Sequence, residues 1–135
     1  MIIVVGYAPT PPGQAALLAG IDVARRLDGS LVVLNSSRGD ALSDPSFAQD
    51  ADLDWVRTTC EEAGIQASIR QEVRGREASE ELLNLLSEVK ADLCVIGLRH
   101  RTAIGKMLLG SNAHRILMES PCPVLSVRPD DHEES

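Results

Sequence analysis

The sequence predicts a single open parallel sheet of five strands with helices on both faces. Three observations point there. Short aliphatic runs alternate with longer amphipathic stretches along the whole chain, the pattern of strands joined by crossover helices. Apolar residues make up 44% of the chain but aromatics only 2%, with Tyr7, Phe47 and Trp55 the sole examples. The core must therefore be Leu, Val, Ile and Ala, as in parallel strands covered on both sides. A length of 135 residues suits one domain and buries a core without disulfides or metals. The domain is expected over residues 1–129, followed by an acidic, solvated tail over 130–135.

The elements follow in order. "IIVV" (2–5) opens as a buried strand, and "PTPPGQ" is a loop and helix entry, since proline is tolerated where a first-turn N–H is unpaired anyway. Leu17, Ile21, Ala24 and Leu27 then share one helical arc. "DGS" (28–30) stops that helix and "LVVL" (31–34) is the second strand. Residues 37–49 are polar, broken by Gly39 and Pro45, and form the one long irregular connection. A second helix has Leu53, Val56, Cys60 and Ala63 inward and Gly64 at its end. "QASIRQEV" alternates weakly, as a third strand near an edge. A third helix turns Ala78, Leu82, Leu85, Leu86 and Val89 inward, and "DLCVIG" (92–97) is a continuous apolar, interior strand. A fourth helix starts near Ser111 with Ala113, Ile116 and Leu117 inward; "VLSVR" (124–128) is the last strand.

Charge and cysteine usage exclude several functions. The net charge is −7, and four of the 20 acids lie in the last six residues. An acidic surface does not attract nucleic acid or anionic membranes, and the aromatic stacking platforms of single-strand binders are missing. No apolar run approaches the length of a membrane span, and "MIIVVG" is too short for a signal peptide. Cys60, Cys94 and Cys122 are odd in number and far apart, as free thiols of a reducing compartment are. The expectation is a cytoplasmic protein.

Against this acidic background, "GLRHRTAIGKMLLGS" (97–111) holds three glycines, four basic side chains and no acid. Gly97 falls at a strand end; Gly110 and Ser111 fall at a helix start. In open α/β sheets ligands bind beyond the carboxyl ends of strands, and a helix start offers free N–H groups and a favourable dipole to a phosphate. Arg99, His100 and Arg101 supply positive charge, Ser111 a hydroxyl or a helix cap, and Asn112 and Ala113 first-turn amides. The other strand ends, Gly6-Tyr7-Ala8 and Ser36, face the same crevice and are candidates for the far side of a ligand. No GxGxxG is present, Met107 breaks any P-loop at "GKM", and the three histidines lack metal-ligand spacing. No acid/base pair or nucleophile triad is legible.

Three stretches carry a family likeness: "IIVVGYAPTPPGQAAL", "GREASEELLNLLSEVKADLCVIG" and "GLRHRTAIGKMLLGSNAHRILMESPCPVLSVR". In them the chain resembles the universal stress protein family along nearly its full length. The resemblance implies a Rossmann-like fold, a homodimer through the last strand (Val124, Leu125, Ser126, Val127) and, in nucleotide-binding members, an ATP or AMP pocket, with or without Mg. In those members the third stretch runs Gly, two residues, Gly, nine residues, Gly-Ser. Gly97, Gly110 and Ser111 match it, and His100 replaces the middle glycine. The family's strand-end Asp, which accepts from the adenine amino group, is replaced by Ala8, with Tyr7 beside it either stacking on the base or filling space.

The leading expectation is a small regulatory stress-response protein that binds an adenine nucleotide and has no enzymatic activity. The alternative is a protein-interaction module of the same fold whose pocket is empty or holds a small anion.

Overall fold

The computed structural model describes residues 1–37, 47–73, 77–98 and 110–129. Five strands and four helices alternate: β1 (Ile2–Gly6), α1 (Pro11–Leu27), β2 (Ser30–Ser37), α2 (Asp50–Glu62), β3 (Ala67–Val73), α3 (Ala78–Val89), β4 (Leu93–Gly97), α4 (Ser111–Glu119) and β5 (Val124–Val127). The sheet order is β3-β2-β1-β4-β5, and every pairing is parallel. Strand order runs outward from β1 to β3, then returns to β4 on the other side of β1. Right-handed crossovers therefore place α1 and α2 on one face and α3 and α4 on the other.

Each face has its own core. Ile3, Val5, Leu31, Val33 and Val95 meet Ala16, Leu17, Ile21 and Ala24 of α1 and Leu53, Val56 and Cys60 of α2. Val4, Leu34, Cys94 and Ile96 meet Leu82, Leu85 and Leu86 of α3 and Ile116 of α4. The strands interior to the sheet are thus apolar on both sides, which explains their continuous aliphatic runs. β3 and β5 are the edges, as expected of the weakly alternating strand and the last one.

Helix ends follow local chemistry. Thr10 caps α1, its hydroxyl accepting from the Gly13 N–H at 3.3 Å, with Pro11 and Pro12 in the first turn. Asp28 and Lys90 end α1 and α3 in the left-handed region, and Gly64 adopts φ +73° after α2. Three inward assignments fail: Ala78, the first residue of α3, is exposed; Leu27, in the last turn of α1, is 54% exposed, and Leu117 of α4 is 38% exposed. Both α1 and α4 meet the sheet along a narrower stripe than the apolar pattern allows. The expected tail over 130–135 lies outside the described residues.

One buried polar side chain ties three elements together. Asn35 of β2 is 1% exposed. Its Nδ2 donates to the Tyr7 carbonyl at 2.9 Å, and its Oδ1 accepts from the Ala48 N–H at 2.8 Å and from Gln71 Nε2 at 3.0 Å. This fixes the chain leaving β1 against the entry to α2 and the edge strand.

Burial pushes the Cys94 thiol up to about 12, with the nearby Cys122 thiol contributing less; burial likewise raises Cys60 and Tyr7. All three groups stay neutral in the fold, whereas an unfolded thiol ionises near ~8.5. The stability involved is fully present below about pH 8.5 and is lost as pH rises toward the folded values, by up to ~1.4 kcal/mol per pH unit for each thiol. The urea midpoint should fall between pH 7.5 and 9.5, and less steeply in Cys94→Ala; a midpoint independent of pH would contradict this reading.

Candidate functional site at the strand-order reversal

β1 and β4 are neighbours, but their outgoing connections leave toward opposite faces. This opens a crevice beyond their carboxyl ends. A cavity of about 220 Å³ occupies it. Leu34, Leu82, Ile96 and Ile116 give it apolar walls, Ala78 and Ala113 keep them low, and Thr10, Ser36 and Asn112 supply its side-chain polar groups. No charged residue lines it among the described residues.

Two glycines set its shape. A Cβ on Gly97 would overlap the Pro12 carbonyl, and a Cβ on Gly13 would overlap the Ala8 carbonyl. The first turn of α1 therefore lies directly on the end of β4 and on the chain leaving β1. Gly97 is thus needed by the close approach of α1. That adds a packing reason to the sequence expectation, which gave this glycine a turn beside a ligand.

Three helices begin at the cavity, through Pro12 and Gly13 of α1, Ala78 of α3, and Asn112 and Ala113 of α4. They differ in what they offer an anion. In α1 two prolines lack N–H groups and Gly13 donates to Thr10. In α3 the Ser79 N–H donates to Asn112 Oδ1 at 3.2 Å, and Glu80 and Glu81 in the first turn oppose the helix field. The α4 start has no acid, and its N-cap Gly110 carries no side chain. The first hydrogen bond of its backbone ladder runs from the His114 N–H to the Gly110 carbonyl at 3.0 Å, so the Ser111, Asn112 and Ala113 amides have no acceptor within the helix. This helix end has the donors and the field that suit a negative group.

The cavity gathers Gly6, Tyr7, Ala8, Ser36, Gly97, Asn112 and Ala113 of the sequence-predicted residues. Gly110 and Ser111 stand at the adjoining helix start. Arg99, His100 and Arg101 lie outside the described residues. The Tyr7 ring packs into the α1/α2 core, 6.3 Å from the Trp55 ring at 27°, so it neither fills the crevice nor presents a stacking face to it. Its main chain is also engaged: the N–H donates to the Leu34 carbonyl and the carbonyl accepts from Asn35, both at 2.9 Å. Ser36 lies inside β2, which runs on to Ser37.

Sequence reasoning missed Thr10, Leu34, Ala78, Leu82, Ile96 and Ile116 as lining residues. Thr10 before Pro11-Pro12 carried a capping signal that would have placed it. The aliphatic residues gave none, because wall and core positions share one periodicity. Among the described residues no group of His, Cys, Asp and Glu is arranged to hold a metal, and no helix is long and apolar enough to cross a membrane.

A ligand crevice at the strand-order reversal of a parallel sheet, with an acid-free helix start beside it, defines the Rossmann-like class. Within that class, residues 1–128 match the model of the universal stress protein family, and the chain belongs to that family. It is 46% identical to a universal stress protein of Mycolicibacterium smegmatis over 95% of this chain and 98% of that one. The structure resembles that of a universal stress protein from Archaeoglobus fulgidus, with TM-score 0.78 and 24% identity over 93% of this chain and 97% of that one. It also resembles a universal stress protein from Archaeoglobus fulgidus solved in complex with dAMP, with TM-score 0.67 and 21% identity over 93% and 96% of the two chains.

The Gly97 contact yields a paired test. Gly97→Ala should lower unfolding stability by about 2 kcal/mol or more, because both overlapping groups are main chain. Gly6→Ala, whose Cβ would meet Leu82 at an ordinary 3.4 Å, should cost less than about 1 kcal/mol. Equal losses in urea unfolding would contradict the close-approach account.

Proposed function

We propose that this protein binds an adenine nucleotide, ATP or AMP, in the crevice between β1 and β4, and acts as a nucleotide-responsive member of its family rather than as an enzyme. The observation that carries the reading is the α4 start: three first-turn amides without helical acceptors, no acid nearby, and an apolar cavity next to them. The base and sugar occupy the apolar end between Ala8, Leu34, Ser36 and Leu82. The phosphates lie at Gly97, Gly110, Ser111, Asn112 and Ala113. Arg99, His100 and Arg101 supply charge from the adjoining segment. The dAMP complex of the archaeal neighbour supports this choice of ligand. Gly110 has φ −67°, open to any residue, so its role is to keep the approach to the amides clear.

Two observations weigh against a catalytic role. Phosphoryl transfer to water needs a positioned base and a metal held by carboxylates. Between Asp92 and Glu119 the sequence has no acid, and none lines the crevice among the described residues. The three cysteines are free thiols, two of them buried, which supports a cytoplasmic setting. The partner proposed is a second copy, joined along β5. That strand is a sheet edge whose main chain on the outer side is open to another strand. Leu125 and Val127 pack toward the α1/α2 core and Val124 toward the α3/α4 core, so pairing would rest on the main chain, with Ser126 beside it.

ATP should bind to the wild type in calorimetry and be recovered unhydrolysed. Gly110→Val should weaken binding about tenfold or more, the loss of one charge-assisted contact of about 1.5–3 kcal/mol. Equal affinities for the two proteins, or turnover well above background, would contradict the proposal; absence of binding would favour a protein-interaction role. Sedimentation at micromolar concentration should give the dimer mass, and a monomer there would exclude pairing through β5.

A further inference from the structure

We infer that the crevice selects purine rings by shape and does not distinguish 6-amino from 6-oxo purine nucleotides; the inference rests on the nucleotide reading above. Selection at the 6-position requires a group that only donates or only accepts, fixed where the substituent falls. A buried group of that kind discriminates by 10⁴–10⁵, whereas an apolar site discriminates by ~10² or less. Among the described residues, the base end of the crevice has no such side chain. Ala8 offers a methyl group. The Tyr7 N–H is spent on the Leu34 carbonyl and the Tyr7 carbonyl is already engaged by Asn35, at 2.9 Å each.

What remains is ambivalent. The side chains of Thr10 and Ser36 are hydroxyls, and a hydroxyl donates to a carbonyl as readily as it accepts from an amino group. The main chain of Ser36 adds one fixed donor and one fixed acceptor. β1 pairs with β2 as far as Gly6 opposite Leu34, and the Leu34 carbonyl faces β1, accepting from Tyr7. Two residues on, the Ser36 N–H and carbonyl face the same side, beyond the end of β1. A donor beside an acceptor pairs with N1 and the amino group of adenine. Hypoxanthine presents the reverse order, an acceptor at O6 and a donor at N1, so it keeps one main-chain bond, N–H to O6, while its N1–H is met by a hydroxyl that turns to accept. The walls, in contrast, are apolar: Leu34, Leu82, Ile96 and Ile116 border a partly open cavity of about 220 Å³, and a bicyclic base covers more of that apolar surface than a pyrimidine does.

The test is equilibrium dialysis of the full chain with ATP, ITP and UTP at one salt concentration. ITP probes the 6-position without adding the 2-amino group of guanine. The expected result is ATP and ITP affinities within about tenfold and UTP about tenfold or more weaker. A preference for ATP over ITP beyond tenfold, or UTP binding as well as ATP, overturns the inference while leaving nucleotide binding intact. Failure of all three to bind overturns the nucleotide reading itself and this inference with it. Ala8→Asp adds an acceptor-only group, so the ratio of ATP to ITP affinity should rise about tenfold or more. An unchanged ratio in the folded variant would place the base elsewhere and overturn the inference. Should that variant fail to fold, the wild-type comparison alone decides.

Discussion

The close approach of α1 to the end of β4 is the constraint on which the site depends. Gly97 has no side chain, so the Pro12 carbonyl rests where a Cβ would be. Gly13 allows the same against Ala8 one turn away. Together they bring the start of α1 over the gap between β1 and β4. Without that approach the crevice would be an open cleft; with it, α1, α3 and α4 begin around one small apolar cavity. Asn35 completes the arrangement from the other side by holding the Tyr7 carbonyl and the entry to α2. The Tyr7 ring continues the face of Ile3 and Val5 into the α1/α2 core.

Electrostatics then separate three otherwise similar helix starts. A helix N-terminus carries roughly half a positive charge, but prolines remove the donors of α1 and glutamates offset the field of α3. Only α4, among the described residues at the crevice, keeps both donors and field. The chain as a whole carries −7, so an anion approaches against the general charge. An acid-free segment from 93 to 118 is the local exception that makes such binding feasible. The same lack of carboxylates underlies the proposal that the nucleotide is bound without being hydrolysed.

Much of this was legible in the sequence, for identifiable reasons. Continuous runs such as "IIVV" and "DLCVIG" mark strands apolar on both faces, and the weaker alternation of "QASIRQEV" marks an edge; both follow from sheet burial. Gly97, Gly110 and Ser111 were placed correctly at a strand end and a helix start because Gly97 ends a continuous apolar run and Gly110-Ser111 opens an amphipathic one. Tyr7 continues the alternation of Ile3 and Val5 into the α1/α2 core; the alternation was legible, but which strand face those helices cover was not. Leu34, Leu82, Ile96 and Ile116 were read as core because a cavity wall and a packed core impose the same pattern. Leu27 and Leu117 look inward by periodicity, yet each lies near a helix end, where the sheet no longer covers the stripe.

Backbone amide chemical shifts during titration with ATP test the central claim most directly, because they report position as well as affinity. The account predicts saturable shifts at Gly97, Ser111, Asn112 and Ala113 for the phosphates and at Gly6, Ala8 and Ser36 for the base. Residues of the distant groove between α2 and β3, Cys60, Ile65 and Ile69, should remain unmoved. Shifts confined to that groove, or scattered over the surface without saturation, would contradict it.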